Sequence, residues 1–224
     1  MIFDWGGTLT PWHTIDIAEL WQEVCAAHFP ADHAERAAAC VRAEHELWEM
    51  SRTEQRSATI HGLLERAGLE PTDALLASYV RTWEPHTFTY ADGGEVLGFL
   101  RSRGLKTGVL SNTMWPRSWH EDVFRRDGVL HLIDGAVYSS EIGRTKPHRD
   151  AFLAAMAAIG AKDPGRCVFV GDRPWDDIHG AKSLGMRAVL LPNGGVPAFD
   201  GASPDAVIAS LAELPPLIDS WLAR

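Results

Sequence analysis

Lysine is scarce in this chain of 224 residues. Lys106, Lys146, Lys162 and Lys182 are the only four, and acidic residues outnumber basic ones to give a net charge of −9. That balance argues against a nucleic-acid backbone as the main partner. It leaves room for a small anion, because the charge of a local site can oppose the net charge. Cysteine is sparse too: Cys25, Cys40 and Cys167 form no CxxC pair. Neither a disulfide framework nor a cysteine metal cluster is expected, and reduced thiols point to the cytoplasm. No apolar run approaches the ~18 residues that would cross a membrane. Asp4 follows Met1 too closely for a signal peptide. No internal repeat or low-complexity stretch stands out. A hydrophobic content of 46% with 23% charged residues fits one large domain, or a core with a smaller insert.

Four segments carry chemistry. The run Ile2-Phe3-Asp4-Trp5-Gly6-Gly7-Thr8-Leu9-Thr10 puts a carboxylate where an apolar strand meets a Gly-Gly turn. Glycines allow backbone N–H groups to come close to a ligand, and a carboxylate beside such a turn is placed to act as a nucleophile. Val109-Leu110-Ser111-Asn112 is an apolar strand ending in a hydroxyl. Gly143-Arg144-Thr145-Lys146-Pro147 is a loop holding one of the rare lysines. Val168-Phe169-Val170-Gly171-Asp172 leads into an acidic stretch with Asp176 and Asp177. Acidic residues at a helix start also suit the helix dipole, so Asp176 and Asp177 have a structural reading as well.

Short apolar runs at Lys106–Leu110, Ala136–Tyr138, Cys167–Val170 and Arg187–Leu191 alternate with helical patterns at Gly94–Arg103, Arg149–Ile159 and Asp177–Leu184. This alternation predicts an α/β fold, a doubly wound parallel sheet covered on both faces. Right-handed crossovers then bring the strand C-termini to one edge, where Asp4, Ser111 and Asp172 would meet. Only three residues precede Asp4, so the first strand is short or the native start lies upstream. Residues 13–87 differ. Ile17, Leu20, Trp21, Val24 and Cys25 repeat at helical spacing, as do later leucines, with Pro30, Gly68 and Pro71 as breaks. About four helices and no strand are expected there.

In this order the four segments resemble the motifs of the haloacid dehalogenase superfamily. The resemblance covers most of the chain and implies a Rossmann-like core, residues 1–12 and 88–224, with a helical cap at 13–87. It implies that Asp4 attacks phosphorus to form an aspartyl-phosphate. Mg²⁺ would lie at Asp4, the Gly6 backbone carbonyl and Asp172. Asp177, or Asp176, would support the metal. Ser111, Asn112 and Lys146 would hold the phosphoryl group of a small phosphorylated metabolite. Mg²⁺ suits such a site because it takes oxygen ligands from few carboxylates plus substrate and water. Arg173 would meet phosphate or pair with Asp176. Oligomeric state is not legible.

The departure from the pattern is Gly6, where most phosphatases of the family carry the Asp that serves as general acid and base. That role is worth about 10²–10⁴ in rate. Its absence implies weakened or altered turnover, or a phosphate-ligand-binding protein with little turnover. His13 is the candidate substitute acid nearest in sequence. The 2-haloacid dehalogenases usually have Tyr at the place of Gly6 and lack the Gly171-Asp172 pair. The imine chemistry of phosphonoacetaldehyde hydrolases, whose first motif is close, needs a cap lysine, and residues 13–87 contain none. Nine tryptophans are unusually many. Trp5, Trp12, Trp115, Trp119 and Trp175 lie near the motifs and suggest an aromatic wall over the phosphate.

Overall fold

In each central strand, neighbouring residues point to opposite faces. In β1 (Ile2–Phe3), Ile2 joins one apolar cluster and Phe3 another. The same split divides Leu110 from Val109 in β2 (Gly108–Ser111), and Phe169 from Val170 in β4 (Val168–Gly171). Such strands are apolar on both sides, as a sheet covered by helices on both faces requires. The computed structural model describes residues 1–12, 15–193 and 195–223. With β3 (Gly135–Tyr138), β5 (Arg187–Leu190) and β6 (Ala206–Val207), the sheet has six strands in the order β3-β2-β1-β4-β5-β6. Every pairing is parallel. The expected doubly wound α/β fold is therefore observed.

Helices cover both faces. Against Phe3, Val109, Val170 and Val189 pack α5 (Gly93–Ser102), α6 (Arg117–Arg126) and α10 (Leu214–Leu222). Against Ile2, Leu110, Phe169 and Ala188 pack α8 (Arg149–Ala158) and α9 (Gly180–Ser183). A short α7 (Ser139–Ile142) follows β3. The helix expected over Asp177–Leu184 begins earlier. Residues Pro174–His179 form a wide π-type turn, in which the N–H groups of Asp177 and Ile178 both donate to the Arg173 carbonyl, at 3.0 and 3.3 Å. Strand β6 has two residues, too few for any periodicity to reveal it.

Residues 17–83 form α1 (Ile17–His28), α2 (His33–Glu54), α3 (Ile60–Arg66) and α4 (Asp73–Trp83). The side chains of Asp16, Thr59 and Thr72 accept from first-turn N–H groups of α1, α3 and α4, which accounts for where those helices start. Leu20, Trp21, Val24, Leu47, Ile60, Leu63, Leu64, Leu75 and Tyr79 bury one another in a third apolar cluster, together with Met114 and Trp115 that follow β2. The segment between α2 and α3 also reaches the sheet layer. Thr145 N–H donates to the Gln55 carbonyl (3.1 Å), Ser57 N–H to Gly143 (3.2 Å) and Ile60 N–H to Met114 (2.8 Å).

Two glycines, one in β3 and one in α5, predict opposite effects of one substitution. A Cβ at Gly135 would lie 2.3 Å from the Ala158 carbonyl oxygen, whereas a Cβ at Gly98, within α5, would meet nothing within 4 Å. Gly135→Ala is expected to lower stability by about 1–3 kcal/mol. Gly98→Ala is expected to raise it by about 0.5–1 kcal/mol. Urea midpoints measured at constant slope test both signs.

Candidate active site

Parallel strands bring their C-terminal ends to one edge, and the predicted groups gather there. Asp4 directly follows β1, and its N–H donates to the Val170 carbonyl of β4 at 2.9 Å. Ser111 ends β2, and Asp172 follows β4. Asp4, Ser111, Lys146, Asp172 and Asp177 are all buried. Lys146 Nζ lies 2.5 Å from Asp4 Oδ1 and 2.7 Å from Asp177 Oδ1. Asn112 holds the Lys146 backbone from both sides: its Oδ1 accepts the Lys146 N–H (2.7 Å), and its Nδ2 donates to the Lys146 carbonyl (3.1 Å). The amide expected to meet phosphate is thus engaged in positioning the lysine.

Glycine makes the crowding possible. Gly7 has φ +85°, and a Cβ there would come within 2.6 Å of Asp172 Oδ2. A Cβ on Gly171 would sit 2.4 Å from the Asp177 side chain. Asp177 therefore packs against the end of its own strand. It accepts the Arg173 N–H at 2.9 Å and faces Lys146. Asp176 points elsewhere and pairs with Arg173 at 3.7 Å. Of the two acidic candidates, Asp177 is the one that joins the cluster.

The electrostatics follow from burial. Burial and the neighbouring Asp4 and Asp177 charges push the Asp172 carboxyl up to about 8. Burial also lifts Asp177 to about 6, against the opposing pull of Lys146. For Lys146, burial disfavours the ammonium, but Asp177 and Asp4 outweigh it and hold the pKa above the usual lysine range. Two carboxylates, Asp4 and Asp177, therefore share one ammonium, and Asp172 stands beside them without a bond to it. Ligand oxygens of Asp4, Asp172 and Asp177 lie within 4.8 Å of one another. Asp172 Oδ1 is buried with no hydrogen-bond partner, while its Oδ2 accepts from Asn193 Nδ2. Such an orphaned carboxylate oxygen beside two more carboxylates fits a hard divalent cation.

A cavity of about 450 Å³ opens over Asp4 and is lined by Gly6, Ser111, Asn112, Lys146 and Arg173. A Cβ at Gly6 would meet nothing within 4 Å, so a side chain has room there. His13, the candidate substitute acid, lies outside the described residues. Of the tryptophans singled out from sequence, Trp5, Trp12 and Trp115 line the cavity. Trp119 packs against Trp115 at 5.7 Å, and Trp175 stacks on His179 at 4.5 Å. Trp48 and Trp83 complete the wall from α2 and α4, joined by Tyr79 and the buried Glu44. Neither Asn193 nor Glu44 belongs to a motif, so sequence reasoning missed both. Beneath the wall, His120 stacks on Tyr138 at 4.3 Å, and burial drives its pKa down to about 3, so it sits there neutral.

Known proteins resemble the chain in sequence and in fold. The glyceraldehyde 3-phosphate phosphatase of Methanopyrus kandleri is 34% identical over 136 residues, covering 59% of this chain and 57% of that protein. The chain spans less than two thirds of the length of the first curated relatives it matches. Among solved structures, a phosphatase from Thermococcus onnurineus superposes with a TM-score of 0.70 at 23% identity, covering 97% of this chain and 96% of that one. The L-2-haloacid dehalogenase of Xanthobacter autotrophicus superposes with a TM-score of 0.65 at 18% identity, covering 97% of each chain. These superpositions show a shared fold. Residues 1–185 match the family described as haloacid dehalogenase-like hydrolase, from β1 through the acidic loop after β4. With the α/β fold and the strand-end cluster in place, the chain belongs to the haloacid dehalogenase-like hydrolases.

Proposed function

We propose that this protein is a Mg²⁺-dependent hydrolase of a small phosphorylated metabolite, with Asp4 as the nucleophile. The observation that carries the reading is the cluster of Asp4, Asp172 and Asp177, the first and last paired with Lys146 and Asp172 Oδ1 unpartnered. Mg²⁺ would be held by Asp4, Asp172 and the Gly6 carbonyl. When bound, it would offset the repulsion between the carboxylates and a phosphate dianion. An alkyl-halide displacement needs no such cation, so the orphaned Asp172 oxygen favours phosphorus over a halocarbon.

In this reading, an Asp4 carboxylate oxygen attacks phosphorus and the ester oxygen leaves with the bonding pair. Water then attacks the aspartyl-phosphate, releasing phosphate and restoring Asp4. The Lys146 ammonium and the Ser111 hydroxyl meet the charge that develops on the phosphoryl oxygens. Asp177 and Asn112 orient Lys146 from its two ends. The helical layer of residues 13–87 acts as a cap over the 1–12 and 88–224 core, excluding water and selecting the leaving group. Its residues line the same cavity as Asp4, which supports that role. Gly6 offers no proton to the leaving oxygen. Aryl and acyl phosphates, which leave as stable anions, should therefore react faster than alkyl phosphates.

Three outcomes are expected. Mg²⁺-dependent phosphate release from an aryl phosphate falls to background in Asp4→Asn. Retained turnover in that variant would remove Asp4 as the nucleophile. If neither protein turns over an aryl or an acyl phosphate, and both bind phosphate ligands, the chain is a binding protein. Second, Gly6→Asp speeds alkyl phosphate hydrolysis by about 10²-fold or more, since the site has space for the side chain. Unchanged turnover in a variant that folds would count against the missing-acid argument.

The third outcome concerns pH. Asp172 and Asp177 have folded pKa values raised to about 8 and about 6, above the unfolded 3.8. The folded state therefore binds more protons than the unfolded one across this window. Its stability is fully present below the unfolded value and is lost as pH rises through the folded values. Without metal, the melting temperature should fall between about pH 5 and about pH 8.5. Mg²⁺ competes with those protons, so its thermal shift should grow over the same range. At about 100 times Kd the shift should reach roughly 5–10 °C. Thermal melts with Mg²⁺ and with chelator test the sign, and a shift that shrinks with pH would contradict it.

A further inference from the structure

The helical wall of the cavity holds a buried carboxylate that the proposed chemistry does not use. Glu44, on α2, is 8% exposed and lines the cavity. Its Oε2 accepts from Trp21 Nε1 at 2.7 Å, and Trp48 lies one helical turn further along α2. No lysine or arginine pairs with it among the described residues. A neutral indole donor meets one of its oxygens without balancing its charge. Burial accordingly pushes the carboxyl up from its usual range. A buried carboxylate with no cationic partner is costly to keep ionised, and a cationic ligand would supply its counter-charge.

The surroundings are aromatic. Trp83 and Trp115 stand nearly perpendicular, at 85° with centroids 5.8 Å apart. Tyr79 lies 6.2 Å from Trp83 and 6.4 Å from Trp115. Trp5 continues the wall 5.4 Å from Trp115, and Trp48 lies along the same cavity. Aromatic rings that line one cavity with a carboxylate attract an organic cation. The lysine and arginine of the lining stand at its strand end, with Asp4 beside them, and Glu44 stands apart from them. Lys146 and Arg173 belong to the loops at the strand ends, and Glu44 to the helical layer. At about 450 Å³ the cavity suits a small molecule bearing both groups.

We propose that the cavity takes a zwitterionic ligand, a phosphate monoester of an amino alcohol, whose ammonium or quaternary ammonium group sits among Trp48, Tyr79, Trp83 and Trp115 against the Glu44 carboxylate. This inference rests on the reading that phosphate binds at Asp4 and Lys146, and it deepens that reading to a substrate class. A neutral aromatic leaving group would satisfy the rings and leave Glu44 unbalanced. A cation satisfies both.

Choline phosphate and its uncharged carbon isostere, 3,3-dimethylbutyl phosphate, differ in charge at nearly constant shape. The test measures kcat/KM for both with Mg²⁺, and calorimetric binding of both, in wild type and Glu44→Gln. The glutamine keeps an acceptor for the Trp21 N–H. Wild type is expected to favour choline phosphate by about tenfold or more. In Glu44→Gln the preference should shrink to within about threefold. Equal handling of the two esters by wild type overturns the cation site, whether or not the variant folds. A wild-type preference that survives in a folded Glu44→Gln overturns the role of Glu44. An aryl phosphate assay run beside these keeps the two readings apart. Aryl turnover with no cation preference leaves the phosphatase standing and removes this inference. No turnover of any ester, with Glu44-dependent preferential binding of choline phosphate, keeps the cation site and removes the phosphatase.

Discussion

One ammonium group holds the strand-end site together. Lys146 bridges Asp4 after β1 and Asp177 after β4, and its backbone is gripped by Asn112 after β2. Three strands are thereby tied to one loop residue at the edge where a parallel sheet presents its ligands. Removing the lysine would leave adjacent buried carboxylates with nothing between them, a large penalty in a poorly hydrated site. Even with Lys146 present the balance is incomplete, since Asp172 adds a third carboxylate with an unpartnered oxygen. The fold thus gathers carboxylates that fit a cation at the place where, on the proposed reading, a phosphate would approach.

That concentration of charge depends on residues without side chains. Gly7 and Gly171 stand where a Cβ would collide with Asp172 and Asp177, respectively. Gly6 differs, because the space beside it is open. The first two glycines are needed for packing, and the third leaves a place vacant. Three glycines close together in one site therefore have two distinct physical meanings, and only the surroundings separate them.

Much of the strand-end site was legible because its signals are local. An apolar run followed by Asp4, Ser111 or Asp172 reads as a strand with a polar tip, and the parallel topology makes the tips meet. Lys146 stood out through the scarcity of lysine. The acidic pair after β4 was legible as a pair, but only the wide turn at Pro174–His179 decides that Asp177 faces inward while Asp176 meets Arg173. The helical side of the cavity was not legible. Glu44 is one of five glutamates on α2, and only tertiary packing, with Trp21 of α1 bonded to it, buries it. Trp48 and Trp83 lie far from any motif and reach the cavity through tertiary structure alone.

The vacancy at Gly6 and the carboxylate at Glu44 bear on one problem, the departure of the leaving oxygen. On the proposed reading, with no acid at Gly6, the ester oxygen would leave carrying negative charge. A leaving alcohol that bears an ammonium nearby is intrinsically more acidic, because the positive charge withdraws electrons and attracts the developing oxyanion. A cap that selects such alcohols would recover part of what the missing acid supplied. Selection for charge at the aromatic end and tolerance of Gly6 at the catalytic end would then be two aspects of one arrangement. The substrate would carry the electrostatic assistance that the protein lacks. On this argument the value of an acid at Gly6 depends on the ester: greatest for neutral alkyl leaving groups, and smaller when the leaving group brings its own positive charge.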